Sequence, residues 1–382
     1  MSKIKITTLT PIHIGNGVTL QYGADFVTGG IASDDGRISV VGIIDPKKVL
    51  SLIGEENISH WVAAIDRKSS TDVIVKQFAP KASIEDYTAR VIVNYSAIRK
   101  NDTLKELIHD GMGKPYIPGS SIKGAIRTAV LASLASKVNG VAGKIERQDK
   151  NNRSKVGAKS VEGELFGADP TTDVFRFLHV GDAIFGDNYE LAAQMVSINE
   201  RPSKGFWDTD KQQLIETICP DDETEFQMKL LPEYYDFAQR NWSQNEKRSL
   251  GKMPDEMKTM AALFSLINEH TRGLIASEIK YWQDKELHDD SNQIAVYIQN
   301  MQKMLDTANS CRAGKECVLR VGYGSGWRFI TGAWTEELGN FESVVVPAAR
   351  RDNYKYQKFD FPKSRRVDED CELLGFVKLT VL

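Results

Sequence analysis

The sequence predicts an α+β protein, and three patterns along its 382 residues support that class. Strand-like and helix-like segments alternate through roughly the first 200 residues, with too few helices to cover both faces of a doubly wound sheet. Helical patterns dominate residues 209–308, and glycine-rich strand patterns return beyond Cys317. An α+β layer with helices on one face fits the first 200 residues better than a doubly wound sheet.

Composition indicates a folded soluble protein, because 41% of the residues are hydrophobic and 26% are charged. No run of about 18 apolar residues is present, so we expect no membrane span. The N-terminus lacks the apolar core of a signal peptide. The four cysteines show no C-x-x-C spacing, which predicts a protein of the reducing cytoplasm with no disulfide framework and no zinc site. We expect no metal site of another kind and no cofactor. A formal charge of −3 argues against coating nucleic acid with the whole surface but permits a local basic groove.

The first strands are predicted from periodicity. Ile4 and Ile6 alternate with polar residues, and residues 37–44 (RISVVGII) form a β-branched run. Similar runs around Val73 and Val91 predict two further strands.

The first helix is predicted from its end signals. Asp45 is a suitable N-cap, Pro46 suits the first helical position and Gly54 lies past the end. Later in the chain, residues 174–185 (VFRFLHVGDAIF) and the closing ELLGFVKLTVL predict strands.

A second helix is predicted over residues 121–138, after a loop that contains Pro118 and with Ser120 or Ser121 as its N-cap. Its apolar residues recur in steps of four, as expected for a helix buried along one face. They are Ile122, Ile126, Val130, Leu134 and Val138.

Two cations, Lys123 and Arg127, lie in the first turns of this helix, where the dipole favours negative charge. A bound phosphate would compensate them, because free N-terminal amides form an anion site. Gly124 is about 1 kcal/mol less favourable than alanine there and suggests a close approach to the backbone. The alternative is a capped helix with two solvated cations. Ala125 stands where a nucleotide P-loop needs lysine, which excludes that motif.

A glycine-rich motif, RVGYGSGW, runs from Arg320 to Trp327. It fails the dinucleotide-binding pattern, because tryptophan occupies the position of the third glycine. Its alternating glycines would leave one face of a strand without side chains, so that another molecule could approach the backbone closely. The rings of Tyr323 and Trp327 could stack on bases. A β-bulge or hairpin packed against another subunit or domain is the alternative.

Residues 354–367 (YKYQKFDFPKSRRV) interleave aromatic and basic side chains, a combination that suits single-stranded RNA. An edge strand protected by lysines is the alternative. Residues 143–160 are polar and mostly basic, which predicts a mobile loop.

Catalytic candidates are few. His13 lies in a glycine-bounded turn, where it could serve as a general base or hydrogen-bond the loop. Asp25 and Asp182 lie near strand ends without a visible partner, and carboxylates there commonly cap turns.

Three separated motifs together resemble the RAMP superfamily of CRISPR proteins: LTPIHIGNG, YIPGSSIKGAIRTA and LRVGYGSGW. The closing FPKSRRV and LGFVKL resemble, more narrowly, the family of the fifth subunit of the type III-A Csm complex. The resemblance spans nearly the whole chain in the expected order. It implies two ferredoxin-like (RRM-like) RAMP domains with a helical insertion. We therefore expect an N-terminal domain over 1–205, including the basic loop, and a C-terminal RAMP-like domain over 206–382, including the helical region.

The resemblance also implies a function: a non-catalytic subunit that caps the crRNA 3′ end and supports crRNA maturation in antiviral defence. The implied partners are crRNA, target RNA in the assembled complex, neighbouring Csm backbone subunits and host nucleases, with no membrane. Asp25 lacks the glycine-glycine lead-in of the aspartate that cuts target RNA in the related backbone subunit, so target cleavage is not assigned to it. The alternatives are a metal-independent endoribonuclease that processes crRNA with His13 as base, and a backbone-type subunit that polymerises along RNA.

The RNA-binding residues that the resemblance and the basic and aromatic motifs predict fall in four groups. They are His13, Gly15 and Gly17; Gly119, Ser120, Ser121, Lys123 and Arg127; Arg320, Gly322, Tyr323, Gly324, Gly326 and Trp327; and Lys363, Arg365 and Arg366.

Overall fold

The computed structural model describes residues 2–34, 36–148, 154–186, 190–198, 205–244, 246, 250–285, 292–350 and 365–382. The helices are α1 (Pro46–Ile53), α2 (Ile58–Asp66), α3 (Thr71–Phe78), α4 (Gly119–Ala135), α5 (Val141–Ile145), α6 (Lys159–Phe166), α7 (Pro232–Asn241), α8 (Met260–Gln283), α9 (Gln293–Ser310) and α10 (Val346–Arg350).

The strands of the first half are β1 (Ser2–Thr8), β2 (Gly15–Gln21), β3 (Phe26–Ser33), β4 (Gly36–Ile44), β5 (Thr88–Asn94), β6 (Thr103–Leu107), β7 (Tyr116–Ile117), β8 (Glu146–Gln148), β9 (Ser154–Val156), β10 (Leu178–Val180), β11 (Ala183–Ile184) and β12 (Glu190–Ile198). Those of the second half are β13 (Trp207–Ile218), β14 (Glu223–Leu230), β15 (Glu316–Arg320), β16 (Arg366–Val367) and β17 (Phe376–Val381).

The central sheet has the antiparallel order β10-β14-β1-β17-β15. Alternation along β1 buries Ile4 and Ile6 completely, and both join a core that α4 and α8 complete. Burial of such branched side chains contributes about 1.5–3 kcal/mol each. The sheet therefore fixes the position of α4, the helix with the two predicted phosphate-binding cations.

The second sheet has the order β2-β6-β13-β12-β5-β4-β3. Strand β12 pairs with β5 near its N-terminal end and with the short β16 near its C-terminal end. The pairs of this sheet are antiparallel except β5 with β12 and β6 with β13. Helices α1 and α3 pack on β3 and β4 through a core that includes Val27, Val40, Val49 and Val75. With helices layered on largely antiparallel sheets, the predicted α+β class is confirmed.

Several predicted strands and the first predicted helix are confirmed. The strand at Ile4 is β1, and the run at residues 37–44 is β4. Helix α1 has Asp45 as its N-cap, whose Oδ1 accepts from the Lys47 amide at 2.9 Å, with Pro46 in the first turn. The sequence around Val91 forms β5, and the closing strand is β17.

Other predicted elements are wrong. The run around Val73 is helix α3, because Ile74 and Val75 bury one helical face. Residues 207–218 and 223–230, predicted as helical, are the paired strands β13 and β14. Helix α8 continues through Gly273 without the predicted break.

The stretches predicted as a basic loop and as a strand also differ. Within 143–160, α5 is followed by the hairpin of β8 and β9, while 149–153 lie outside the described residues. Within 174–185, a 3₁₀ turn at Val174–Phe177 precedes the short strands β10 and β11.

Both sheets contain strands from both sides of residue 205. In the central sheet, β1 pairs with β14 and β17, and in the second sheet β12 pairs with β13. The division into domains at 205 and 206 stays a prediction. Within the described residues, no helix has the length and apolar character needed to cross a membrane.

Candidate nucleic-acid interface

The first turn of α4 is held by protein groups. The helix begins at Gly119, one or two residues before the predicted serine caps, and neither Ser120 nor Ser121 caps it. The Gly119 amide donates to Oδ1 of Asp182 at 2.7 Å, so a carboxylate already lies at the helix N-terminus. A Cβ at position 119 would lie 2.2 Å from the Val180 carbonyl oxygen, whereas Gly124 faces open space. The close backbone approach inferred from Gly124 therefore occurs at Gly119, against a neighbouring strand.

Arg127 is neutralised by two carboxylates. Its Nη1 lies 2.7 Å from Oδ2 of Asp173, and its Nη2 lies 2.9 Å from Oε2 of Glu162. The guanidinium also lies over the rings of Phe166 and Phe175, at 4.7 and 4.9 Å from their centroids. The negative charge that was expected from a bound phosphate is therefore supplied for this cation by two carboxylates of the protein.

Lys123 is the exception in this region. It is half-buried, and burial lowers the pKa of its ammonium, with Asp173 acting in the opposite direction and Arg127 adding to the decrease. Its side chain lines a cleft of about 840 Å³ together with the exposed Ser120. Among the residues that the structure describes, no carboxylate forms an ion pair with Lys123, and Ser121 is partly buried beside it.

The glycine-rich motif forms a loop after β15, and the predicted strand ends at Arg320. Gly322, Gly324 and Gly326 have φ values of +80°, +83° and +78°, a backbone conformation that favours glycine. A Cβ at position 322 would lie 2.5 Å from the His13 carbonyl oxygen. The loop and the His13 turn therefore pack backbone to backbone.

His13 is buried beneath this loop, with only 2% of its surface exposed. Its Nδ1 lies 2.6 Å from the Glu216 carbonyl oxygen, and its ring meets that of Tyr323 edge-on at 5.9 Å. Burial lowers the pKa of the imidazole, the hydrogen bond to Glu216 raises it, and the charge of Lys105 lowers it again. A Cβ on Gly15 would lie 3.0 Å from Nε2 of His13, so this glycine gives the ring its space.

Polar and cationic side chains converge on Tyr323, which is 40% exposed. The hydroxyl donates to Oε1 of Gln213 at 3.0 Å and accepts from Nη1 of Arg366 at 2.8 Å. The Arg366 guanidinium lies 5.2 Å, and Nζ of Lys105 5.7 Å, from the centre of the ring. We call Lys105, Gln213, Tyr323 and Arg366 the Tyr323 cluster. Neither cation of this cluster forms an ion pair with any residue that the structure describes.

The remaining predicted positions divide between packing and open surface. Arg320 is buried between the rings of Phe329 and Phe376, 4.6 Å from each, and burial lowers the pKa of its guanidinium to about 10. Trp327 packs partly buried against Phe341.

Two neighbours in the basic segment near the C-terminus have opposite surroundings. Arg365 is buried in an ion pair with Glu278, whereas Arg366 reaches the Tyr323 cluster. Lys363 lies outside the described residues. Gly17, with φ of +90°, has open space around its Cβ position.

Sequence reasoning missed Lys105 and Gln213, because only the pairing of β6 with β13 brings them to Tyr323. It also missed a group formed by Glu106 on β6, Glu216 on β13 and His109, two residues beyond β6, which lie close enough to share a metal ion. Arg90 donates to both of these carboxylates at 2.9–3.0 Å, so a guanidinium compensates their charge. Asp25, the other carboxylate considered, caps a turn by accepting from the Gln21 amide at 2.8 Å.

Comparisons with known proteins agree with this architecture. A family model, the RAMP superfamily, matches residues 5–260. The curated "CRISPR system Cms protein Csm5" of Methanocaldococcus jannaschii is 27% identical over 188 residues, which cover 48% of this chain and 42% of that protein.

Two solved structures share the fold along nearly the whole chain. A chain of a Csm–crRNA–target RNA ternary complex from a type III-A CRISPR–Cas system has a TM-score of 0.70 at 19% identity, covering 99% of this chain and 100% of that chain. The crystal structure of T. onnurineus Csm5 has a TM-score of 0.62 at 20% identity, with the same coverage. The resemblance predicted from the motifs is confirmed, and because the family model covers more than half of its length, the chain belongs to the RAMP superfamily.

Proposed function

We propose that this chain is a crRNA-binding subunit of a type III-A CRISPR effector complex. In this proposal it caps the 3′ end of the crRNA, contacts the neighbouring Csm backbone subunits and the target RNA, and supports crRNA maturation by engaging host nucleases. Support comes from the Csm5 relative and from the likeness over the whole chain to a chain solved in a Csm–crRNA–target RNA complex.

One observation carries the RNA-binding part of the proposal: Lys105 and Arg366 approach the same exposed tyrosine without a carboxylate partner among the described residues. Like charges that converge without a counter-ion favour an anion between them. The phosphates of RNA supply such anions at regular intervals, and the exposed part of the Tyr323 ring can stack on a base for about 1–3 kcal/mol. We therefore place the principal RNA contact at the Tyr323 cluster.

The cleft beside α4 is a secondary part of the same proposal. Lys123 lacks an ion pair among the described residues and lines this open cleft, which makes it the strongest remaining candidate of the α4 group for a phosphate contact. The RNA-binding roles of Gly119, Ser120, Ser121 and Arg127 stay predictions. Arg127 would have to exchange Glu162 and Asp173 for phosphate.

We propose no catalytic role for the chain. The buried His13 ring is hydrogen-bonded to a backbone carbonyl and covered by the glycine-rich loop. A general base must reach the proton that it abstracts, directly or through one water. Such a position suits a residue that supports the loop.

Binding is tested by measuring crRNA affinity over a series of salt concentrations. Lys105→Ala with Arg366→Ala should weaken binding at any guide sequence, about 10- to 100-fold, and make the salt dependence shallower by up to about two units. Lys76→Ala with Lys252→Ala is the matched control, because it removes two exposed cations that belong neither to the Tyr323 cluster nor to the cleft beside α4, at the loss of one loose surface ion pair with Asp72. Equal losses in both double variants would mean that only net charge matters, which would refute the local contact.

Capping is tested in the assembled complex with a crosslinkable nucleotide at either end of the crRNA. The chain should crosslink to the 3′ probe and not to the 5′ probe. Several copies per complex, with crosslinks spread along the guide, would instead indicate a backbone subunit.

Catalysis is tested with labelled crRNA precursor and the purified chain in chelator. Binding without cleavage supports the proposal. Cleavage that His13→Ala abolishes would establish the endoribonuclease alternative.

A further inference from the structure

Glu278, on α8, is a buried carboxylate that accepts five hydrogen bonds. Its Oε1 accepts from Nε of Arg365 at 2.5 Å, from the Trp282 indole at 2.7 Å and from the Tyr297 hydroxyl at 3.0 Å. Its Oε2 accepts from Nε of Arg328 at 2.7 Å and from Nη2 of Arg365 at 3.1 Å. The carboxylate side chain is 2% exposed, and that of Arg365 is 3% exposed.

The two arginines belong to segments that end in the Tyr323 cluster. Arg365 directly precedes Arg366, whose Nη1 bonds the Tyr323 hydroxyl. Arg328 follows the glycine-rich loop that contains Tyr323. One carboxylate therefore holds both sides of the Tyr323–Arg366 contact, while neither Tyr323 nor Arg366 touches α8 through a described hydrogen bond.

The protein needs such an anchor because these segments have little regular structure of their own. Strand β16 has two residues, and the loop at 321–326 contains three glycines at positive φ. Glycine-rich backbone loses much conformational entropy when it is ordered, so its geometry depends on fixed points nearby. A long cationic side chain on a fixed backbone also loses less conformational entropy when it binds phosphate.

Stability alone is a weak explanation for this network. Buried ion pairs often contribute little net stability, because desolvation offsets the attraction between the charges. Apolar side chains could fill the same volume. An arrangement in which one glutamate receives two arginines from different segments is better explained by the geometry that it imposes.

We propose that Glu278 is a positioning residue, which orients Arg366 and Tyr323 for contact with RNA phosphate without touching RNA itself. This inference rests on the proposed RNA-binding function. It assigns the α8–α9 segment a role in RNA affinity, because Trp282 and Tyr297 of those helices hold the same carboxylate.

The test is a double-mutant cycle on crRNA affinity. Glu278→Gln should weaken binding by about tenfold, because the amide cannot hold both guanidinium groups. Arg366→Ala added to Glu278→Gln should then weaken binding by no more than about twofold, since the two changes act through one contact. Glu316→Gln is the matched control, because Glu316 is also a largely buried acceptor for basic side chains, Arg312 and Lys378. It should leave RNA affinity unchanged. Losses that simply multiply in the double variant would overturn the proposal.

A second readout does not depend on RNA. With 3-fluorotyrosine at Tyr323, the ¹⁹F resonance should shift or broaden in Glu278→Gln and stay unchanged in Glu316→Gln. An unchanged resonance in Glu278→Gln would overturn the positioning role. The two proposals can fail separately. If Glu278→Gln changes the resonance but Lys105→Ala with Arg366→Ala leaves RNA affinity unchanged, Glu278 orders the loop and the proposed RNA contact is refuted.

Arg365→Lys serves where Glu278→Gln folds poorly. It keeps the positive charge but loses the bidentate hydrogen bonding of the guanidinium, so RNA affinity should fall several-fold. The urea concentration at the midpoint of unfolding should stay close to that of the native protein. Full RNA affinity in a folded Arg365→Lys protein would also contradict the proposal.

Discussion

The first turns of α4 and the Tyr323 cluster both bring basic side chains to the surface, but their charges have different surroundings. At α4, Asp182 lies at the helix N-terminus, and Glu162 and Asp173 neutralise Arg127. At the Tyr323 cluster, Lys105 and Arg366 meet a tyrosine and a glutamine, with no carboxylate partner among the described residues.

This difference teaches that a basic motif does not by itself identify a phosphate site. Arg127, Arg320 and Arg365 all belong to motifs that predicted RNA contacts, yet each is held by carboxylates, rings or a carbonyl of the protein. What distinguishes a candidate contact is a cation held in place by neutral partners, because its charge remains available to a ligand. Arg366 meets that condition.

The largest expected effect is a loss of stability when an arginine with a structural role is replaced. Arg127→Met should lower the free energy of unfolding by about 1–3 kcal/mol, because it leaves Glu162 and Asp173 without their cation. Urea unfolding checks this. Lys159→Met, which removes a cation from the same cleft without breaking a described ion pair, is the control and should lower it by less than about 0.5 kcal/mol. If the RNA affinity of Arg127→Met falls while its unfolding free energy is unchanged, Arg127 binds RNA and the distinction between the α4 region and the Tyr323 cluster is refuted.

Next in size is the loss of one cation from the Tyr323 cluster. Arg366→Ala should weaken crRNA binding by about tenfold, equivalent to about 1.4 kcal/mol, because it removes a phosphate partner. The measurement is fluorescence anisotropy at fixed salt. Its unfolding free energy should change by less than about 1 kcal/mol, since the side chain is only partly buried. The opposite pattern, lost stability with intact binding, would assign Arg366 to packing.

A partly buried carboxylate two residues after Arg366, that of Asp368, should give the unfolding free energy a dependence on pH. Burial raises the pKa of Asp368 to about 7, although the amides of Asp370 and Glu372 act to lower it. The unfolded value is about 3.9, so the folded state binds the extra proton between those values and stability falls as pH rises through them. Asp368→Asn should therefore raise the unfolding free energy by roughly 1 kcal/mol at pH 8 and leave it unchanged near pH 3.

Urea unfolding at the two pH values measures this effect, with Asp66→Asn, at an exposed position on α2, as the control. An equal gain for Asp368→Asn at both pH values would mean that titration of this carboxyl is not the cause.

The smallest effect concerns Lys123. Lys123→Ala should weaken crRNA binding about two- to threefold and reduce the salt slope by at most about one unit, as expected for a secondary phosphate contact. Lys159→Ala provides the comparison within the same cleft. A loss for Lys123→Ala larger than that for Arg366→Ala would make the α4 cleft, and not the Tyr323 cluster, the principal interface.

Much of the fold followed from local patterns where local and tertiary preferences agree. The alternation at Ile4 and Ile6 and the cap at Asp45 needed no distant information. The errors arose where tertiary contacts decide. Residues 71–78 are rich in β-branched side chains but form a helix against the second sheet. Residues 207–218 contain helix formers but pair as a strand with β12 and β6.

The site was harder to predict, because its members come together only through the sheets. A cap at Ser120 or Ser121 was predicted on local grounds, whereas Asp182, which follows β10, accepts the hydrogen bond from the Gly119 amide. Lys105 and Gln213 carry no local motif, since each is one polar residue on a strand. Tyr323 and Arg366 were found because their motifs are distinctive, but their contact with each other was not.

The pairing of β1 has a consequence for synthesis of the chain. Ile4 lies between Phe226 on β14 and Val381 on β17, so β1 leaves the ribosome long before its neighbours exist. Emerging chains fold from the N-terminus as units become complete, and a strand without partners stays exposed and prone to association. The layer of α1, α3 and β3–β5 can assemble early from nearby residues, whereas the central sheet closes only after β17 has been synthesised. Chaperone protection of β1 during translation is the expected result.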